Sequence, residues 1–529
     1  MLKLQVVAIT SRTLSIEIEN SHSYYLPNKV NLYVEQKRIE TLEKNVWTIN
    51  HLEPATAYTL YVEDIETKEK SQEITVRTKP ESATVDVRKF GAIGDGVTLD
   101  TSALQAAILA CPENGRVLIP KGTYLTTPLF LKSNINLHFE KDAVLLGVKE
   151  RDRYPVLQGV LTSYDELEEY YLGSWEGDPM DSYASLLTGI HVENINIIGE
   201  GILDGNASFE TWWERPKEKR RAWRPRTIFL TECKNVLVEG ITIKNSPSWT
   251  VHPLMCEDLK FINLRVENPP DSPNTDGINP ESCKNVLILG TLFSVGDDCI
   301  AIKSGKLYMG KKKKMPSQNI FIRNCFMEYG HGAVTIGSEM SGGVNHIYVE
   351  KCLFQNTDRG IRIKTRRGRG ETGIIDEIHV QDIQMDGVLT PFVINAFYFC
   401  DIDGHVEYVW SKEPLPVDER TPYIKNIYLK NIRCKNAEVA AAFFYGLPER
   451  KIEKIDMEDI YVDFRENAKP GYAAMMDFIE PMCRNGFYFH NINHLKLKNI
   501  QAVNTSTEAV IKLAVDHEGI EEEAEAAYK

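Results

Sequence analysis

The stretch NVLVEGITIKN, residues 235–245, sets two short runs of alternating apolar residues around a Glu-Gly break. DLKFINLRVEN (258–268) and NVLILGTLFS (285–294) repeat the pattern. Alternation with a period of two marks half-buried strands, because successive side chains point to opposite faces. Working outward, the same unit recurs as NINIIGEG, NIFIRNCFME, HIYVEKCLFQ, EIHVQDIQM, NIYLKNIRC, KIDMEDIYV and HLKLKNIQA. The first apolar positions are Ile195, Val236, Leu259, Val286, Ile320, Ile347, Ile378, Ile427, Ile455 and Leu495, and the tightest steps are 23 and 27 residues. A propeller blade of four strands needs roughly 40 residues, so these steps fit one coil of a parallel β-helix instead. Asparagines at the coil corners (Asn235, Asn245, Asn263, Asn268, Asn285, Asn319, Asn324) suit tight bends and amide ladders. Cys325, Cys352 and Cys434 are expected as stacked interior thiols. A solenoid end must be capped, and DTSALQAAILA (100–110), with Asp100 or Thr101 as N-cap, is the expected N-terminal lid.

The chain divides into three parts. Residues 1–80 carry alternating runs at Leu2 to Val7, Leu14 to Ile18, Val30 to Val34, Tyr58 to Val62 and Ile74 to Val76, which predict a small β-sandwich. Its LEPATAYTLYV segment resembles the tyrosine corner of fibronectin type III modules. Lys79-Pro80-Glu81-Ser82 reads as a linker, residues 85–515 as the β-helix, and 516–529 as an acidic, solvated C-terminal tail.

The 529 residues are 43% apolar and 26% charged, values of an ordinary globular chain. Sixty-one basic against 75 acidic residues leave a net charge of −14, which disfavours nucleic acid and anionic membrane as partners. The ten cysteines show no zinc-like spacing and are expected reduced. The opening MLKLQVVAITSRTLSIEIEN lacks the pattern of a signal peptide, so the expected location is cytoplasmic, or secreted or periplasmic if a leader has been removed.

Four polar clusters interrupt the repeat: Asn274-Thr275-Asp276-Gly277, Gly296-Asp297-Asp298, Gly330-His331-Gly332 and Arg362-Ile363-Lys364. Measured from the coil starts, Asp297 and His331 share an offset of 11 residues, Arg362 stands at 15, and Asp276 at 17 lags behind the inserted Pro-Pro-Asp-Ser-Pro of 269–273. Similar phases on stacked coils place them on one strip. Crowded carboxylates push one pKa up and leave an acid beside a base, the division of labour that glycoside hydrolysis requires. Arg362 and Lys364, two apart on a strand, share a face and would clamp a substrate carboxylate. Taken singly, each cluster reads as turn or surface residues, and the acids with His331 also fit a divalent cation site.

NTDG, GDD, GHG and RIK, in this order, resemble the four motifs of glycoside hydrolase family 28, the polygalacturonases and related pectin hydrolases. The resemblance extends over about residues 85–515, including VRKFGAIGDGVTLDTSALQAAI, GILDGN, Trp212-Trp213 and KNSPSWTVHP. It implies a right-handed parallel β-helix, an inverting hydrolase, no metal and no cofactor. It makes Asp297 the general acid, Asp276 and Asp298 the pair that activates water, and His331 their neighbour; Asn274, Arg362 and Lys364 would bind the sugar and its carboxylate. Partners are then pectic oligo- or polysaccharides.

Long inserts at about 150–185, 206–225, 365–375, 397–422 and 464–490 would wall off one end of a groove and leave a pocket for chain ends. Exo action on α-1,4-linked galacturonic acid is therefore expected, and the N-terminal module resembles bacterial exo-polygalacturonases. Alternatives are a hydrolase of another pectin linkage (rhamnogalacturonan or xylogalacturonan), a calcium-dependent lyase, and a non-enzymatic β-helix that binds carbohydrate. Lys303, Arg366, Arg367, Arg369, Arg224 and Arg226 are basic residues suited to a polyuronate, whereas Lys311 to Lys314 read as a solvated loop. Tyr398 and Trp249 read equally as sugar platforms or as core. The sequence is silent on oligomeric state.

Overall fold

The structure, a computed structural model, describes residues 2–506 and two further short strands, Ile511–Ala514 and Ile520–Glu523. Of the expected acidic tail only Ile520–Glu523 is among them; the rest of 516–529 lies outside the described residues.

Residues 3–77 form two antiparallel sheets face to face. One holds Lys3–Ile9, Leu14–Glu19 and Val46–Ile49; the other holds Lys37–Lys44, Tyr25–Val34, Ala57–Asp64 and Ile74–Arg77 in that spatial order. Ile16, Leu32, Leu42, Leu60 and Val62 are fully buried between them. The Tyr58 hydroxyl accepts a hydrogen bond from the Glu53 backbone N–H at 2.9 Å, the contact that defines a tyrosine corner. The strand Lys37–Lys44 escaped the alternation rule because nearly all of its side chains are charged or polar and exposed, as befits an edge strand.

From Thr84 onward the chain coils. Ile135, Ile195, Val236, Leu259, Val286, Ile320, Ile347, Ile378, Ile427, Ile455, Leu495 and Ile520 pair in parallel register from coil to coil. The column therefore contains every coil start read from the repeat. It also begins earlier, at Gly115–Ile119 and Ile135–Phe139, where the insert after Gly147 hides the periodicity. A second parallel column, Ile228, Val251, Ile278, Ile300, Val334, Ile361 and Phe392, runs beside it. Apolar side chains from both columns fill the solenoid interior.

Six of the seven corner asparagines named above adopt left-handed φ, Asn268 being the exception. Amide ladders do run between coils: Asn235 donates to Asn194 at 2.7 Å, and Asn194 to Asn134 at 2.8 Å. All ten cysteines are free, and Cys325, Cys352 and Cys434 are fully buried. A thiol contact between coils occurs at Cys233, whose N–H donates to Cys256 Sγ at 3.3 Å. The lid helix is Thr101–Ala110, but the Asp100 carboxylate does not cap it; it turns back to accept from the Ile93 and Gly94 N–H groups at 2.7 and 3.0 Å. Lys311, Lys312 and Lys313 are not in a loop, as expected, but in the helix Leu307–Lys313, with Lys314 as its left-handed C-cap. Lys312 pairs with Glu169 at 3.0 Å and Lys313 lies 4.8 Å from the Tyr171 ring centre, so the lysines tie this helix to the first long insert.

The N-terminal sandwich docks on the flank of the solenoid through buried polar contacts. Glu17 holds Arg323 with two hydrogen bonds of 2.7 Å each and accepts from Asn324 at 2.7 Å. Glu239, fully buried, accepts from Thr13 and Ser15. Val46 and Ala8 pack on Ile198, Leu237, Ile262 and Leu289.

Candidate active site

The second column carries the strip. Because Ile278 bridges Ile300, the residues two before each, Asp276 and Asp298, stack on successive coils. Backbone bonds fix the phase: Thr250 N–H donates to the Asp276 carbonyl at 2.7 Å, Gly277 N–H to that of Asp298 at 3.0 Å, and Cys299 N–H to that of Gly332 at 2.8 Å. One carboxylate oxygen from each of Asp276, Asp297 and Asp298 lies within 4.8 Å of the other two. Three acids separated by up to 22 residues in sequence thus meet at one point.

Their environments differ. Arg362 and Lys364, one coil apart from Gly332 and on the outward face of Thr357–Lys364, donate to the two oxygens of Asp298 at 3.0 and 2.8 Å. Burial pushes the Asp298 carboxyl up, but the Lys364 and Arg362 charges outweigh it and hold it far below the ordinary carboxylate range. The clamp expected for a substrate carboxylate is therefore engaged with Asp298. With both Asp298 oxygens taken, the two cations themselves discharge the cluster.

Asp276 has neither cation as a direct partner. Burial, reinforced by the Asp297 charge, raises its carboxyl well above the ordinary value, against the pull of Lys303. Asp297 is the acid most open to solvent, its side chain 22% exposed, and its Oδ1 lies 3.3 Å from His331 Nδ1. Burial pushes Asp297 up, yet the His331 hydrogen bond and nearby cations leave it below its usual range, while that same bond raises His331. Of the three, Asp276 is the carboxyl pushed toward its neutral form, whereas the resemblance makes Asp297 the acid.

Gly332 explains the GHG motif. A Cβ there would stand 2.6 Å from Asp298 Oδ1 and 3.3 Å from Arg362 Cδ. Asn274 sits in a left-handed turn (φ 56°) beside Asp276, with its Oδ1 accepting from Arg224 at 2.7 Å.

Of the residues read as site candidates, Asp276, Asp297, Asp298, His331, Arg362 and Lys364 meet in this cluster, while Asn274, two residues before Asp276, has its side chain held by Arg224. The other basic residues serve differently from the expectation. Arg366 pairs with Asp403 at 2.7 Å and Asp401 at 3.3 Å, Arg369 with Asp401 at 3.4 Å, and Arg367 with Glu449. Each is buried, so they bind the protein's own inserts together. Trp249 and Tyr398 are buried too: Lys303 lies 4.5 Å from the Trp249 ring centre and Lys364 lies 5.2 Å from that of Tyr398.

Lys303 deserves a place with the motifs. It pairs with Glu339 at 2.8 Å and its charge opposes the rise of Asp276. The signal was present as the matching segments Ile300-Ala-Ile-Lys303 and Ile361-Arg-Ile-Lys364, each placing lysine three residues past a column position. Arg224 and Met475 had no such signal, because both lie on inserts. Met475 Sδ accepts from Arg362 at 3.2 Å, and Arg359 holds the Tyr472 carbonyl at 2.6 Å.

Residues 172–470 match the family model of glycosyl hydrolases family 28, and residues 84–138 match one described as rhamnogalacturonase A/epimerase, pectate lyase-like. A probable polygalacturonase of Vitis vinifera is 31% identical over 389 residues, covering 72% of this chain and 74% of that protein. An exo-poly-alpha-D-galacturonosidase of Dickeya chrysanthemi is 26% identical over 431 residues, covering 73% and 68%. The crystal structure of a hyperthermoactive exopolygalacturonase from Thermotoga maritima superposes with a TM-score of 0.62 at 27% identity, covering 79% of this chain and 92% of that one. The family 28 exopolygalacturonase of Yersinia enterocolitica, at 19% identity, shares the fold over 98% of both chains with a TM-score of 0.71. The stacked acids, their cationic clamp and these likenesses agree: the chain belongs to glycosyl hydrolases family 28 and is a glycoside hydrolase of the polygalacturonase family.

Proposed function

We propose that this enzyme is an exo-acting polygalacturonase, which removes α-1,4-linked galacturonic acid units from the ends of galacturonides with inversion. The observation that carries the reading is the way the inserts meet around the strip. On the side of the coils preceding Asp276, Trp175 of the first insert stacks on Trp223 of the second, ring centres 4.7 Å apart and planes within 5°. Along one flank, Lys306 donates its N–H to the Gly177 carbonyl and its ammonium to Asp401 at 3.0 Å, joining the first insert to that of 397–422. Beyond the triad, Met475 and Tyr472 belong to the insert over 464–490. Such walls suit a pocket that receives a chain end, and two of the relatives above are named as exo enzymes.

In this reading Asp297, the acid nearest solvent, delivers a proton to the departing glycosidic oxygen, receiving it through the cluster from Asp276. The then ionised Asp276 takes the proton from the attacking water, which restores it, while Asp298, held ionised by Arg362 and Lys364, orients that water. His331 holds Asp297 in place. The oxygens of the three acids are closer than the general separation for inverting enzymes, so inversion rests on the family and not on distance. Incubation with polygalacturonate, with products resolved over time, tests the reading: a single small product from the earliest times supports it, and an early ladder of internal oligomers overturns it.

A further inference from the structure

Arg224 lies on the second long insert, outside the four motifs, yet it makes the most direct contact between the inserts and the catalytic turn. Its NH1 donates to the Pro247 carbonyl at 2.7 Å and the Pro273 carbonyl at 2.9 Å, and its NH2 to Asn274 Oδ1 at 2.7 Å. Its guanidinium carbon lies 5.3 Å from the Trp175 ring centre, so one side chain touches both inserts, two coils and the NTDG motif. Arg226 buttresses it by donating to the Arg224 carbonyl at 3.2 Å while standing 5.4 and 5.2 Å from the Trp175 and Trp249 ring centres. Arg224 is 3% exposed, and among the described residues no carboxylate lies within ion-pairing distance of it. An arginine buried without a direct ion pair is costly, and Glu176 and Asp276 act on it only from beyond pairing distance, so its neutral acceptors must be well placed to hold it.

The bond to Asn274 has a chemical consequence. Arginine only donates, so the Asn274 atom facing it must be the carbonyl oxygen. The amide cannot then flip, and its NH₂ group, which has no protein acceptor among the described residues, is turned away from Arg224. A half-buried asparagine beside Asp276 is thereby committed to donating.

We propose that Arg224 is a positioning residue of this site: it locks the Asn274 amide so that its NH₂ donates to a hydroxyl or carboxylate oxygen of the bound uronide, and it clamps the Trp175–Trp223 wall to the catalytic turn. The second part rests on the exo reading; the first does not.

The test is a double-mutant cycle on trigalacturonate with Arg224→Met, Asn274→Ala and the pair. Each single substitution is expected to lower kcat/KM by about 10²-fold, a typical cost of misplacing a positioning group, chiefly through KM. The pair should lose no more than the worse single, and the pH profile should keep its shape. Arg224→Lys should not rescue, because a point charge cannot serve three acceptors. Multiplicative losses in the pair, or rescue by lysine, would overturn the proposal. Asn274→Asp covers the case in which Arg224→Met does not fold: the acceptor for Arg224 remains but the donor is gone, so KM should rise with Tm unchanged or higher, and retained KM would overturn the locking. The products of the unmodified enzyme on polygalacturonate are measured alongside. An internal ladder there sinks the exo reading while leaving the cycle on trigalacturonate valid, and a single product from unmodified enzyme and Arg224→Met alike overturns the wall clamp alone.

Discussion

Lys364 Nζ stands 2.8 Å from Asp298 Oδ2, with the lysine side chain 9% and the aspartate side chain 1% exposed. Arg362 occupies the other oxygen, so one carboxylate is neutralised from two sides in a dry setting. Such a pair is worth little when compared with an apolar replacement, but breaking it strands a buried charge. Lys364→Met is therefore expected to destabilise the enzyme by about 3 kcal/mol, the low end of the range because Arg362 remains. Adding Asp298→Asn should recover part of that loss without recovering activity. Thermal unfolding of both variants, with hydrolysis measured beside it, decides the matter; a double variant less stable than Lys364→Met would refute the account.

The three acids should respond differently to the same substitution. Each Asp→Asn change is expected to lower kcat by at least about 10²-fold, since each removes a group that moves a proton or orients the water. Stability should separate them. Burial and the Asp297 charge push the Asp276 carboxyl toward its neutral form, so Asp276→Asn, which is neutral at every pH, should match or exceed the Tm of the unmodified enzyme at neutral pH. Asp298→Asn leaves Arg362 and Lys364 buried without a counter-ion, and its Tm should fall. Equal losses of Tm in the two variants would mean that Asp276 is ionised.

The register of the solenoid was legible because a coil buries one column of side chains and a strand repeats every two residues. Val236, Leu259 and Val286 could therefore be counted along the chain and found stacked in space. The motifs were legible for a related reason: they break the apolar repeat on successive coils, and Asp276, Asp298 and Gly332 each prove to stand two residues before a position of the second column. What lay beyond reach was anything set by inserts. Nothing in the spacing of Arg224 tells that it meets Asn274, 50 residues away, because an insert leaves the coil and returns at a point chosen by packing. Charge was misleading in the same manner. Arg366 and Arg369 look available for an anionic substrate until Asp401 arrives from another insert to pair with them.

Gly332 offers a test of how tightly the motif is built. A methyl group there would crowd the Thr335 hydroxyl, Asp298 Oδ1 at 2.6 Å and the Arg362 side chain at 3.3 Å, so it would press on the Asp298 carboxylate and on the arginine that holds it. Overpacking of this kind costs about 1–3 kcal/mol. Gly332→Ala is expected to lower kcat far more than that stability loss explains, by about 10²-fold through displacement of a reacting group. Near-normal kcat in a folded Gly332→Ala enzyme would show that Asp298 can move without consequence, and the assignment of Asp298 to the attacking water would fall with it.

Glu239 makes the join between sandwich and solenoid sensitive to pH. It is buried at the interface, where the Thr13 hydroxyl donates to it at 2.5 Å, the Ser15 hydroxyl donates as well, and Lys260 is the charged group acting on it. Burial outweighs these and raises its carboxyl above the ordinary value. A carboxyl raised on folding binds its proton more tightly in the folded state than in the unfolded one. Its contribution to stability is present in full below the ordinary carboxylate range and is lost as pH climbs through the raised value. Stability of the join should therefore fall with rising pH over that interval, the opposite of the behaviour set by Asp298. Glu239→Gln keeps an oxygen acceptor for one hydroxyl and cannot ionise, so the difference in Tm between it and the unmodified enzyme should move in favour of the variant as pH increases. Protease cleavage near Lys79 and Pro80, followed alongside Tm, would report whether loosening begins at the join; a Tm difference independent of pH would place the Glu239 proton at its ordinary affinity and remove the sensitivity.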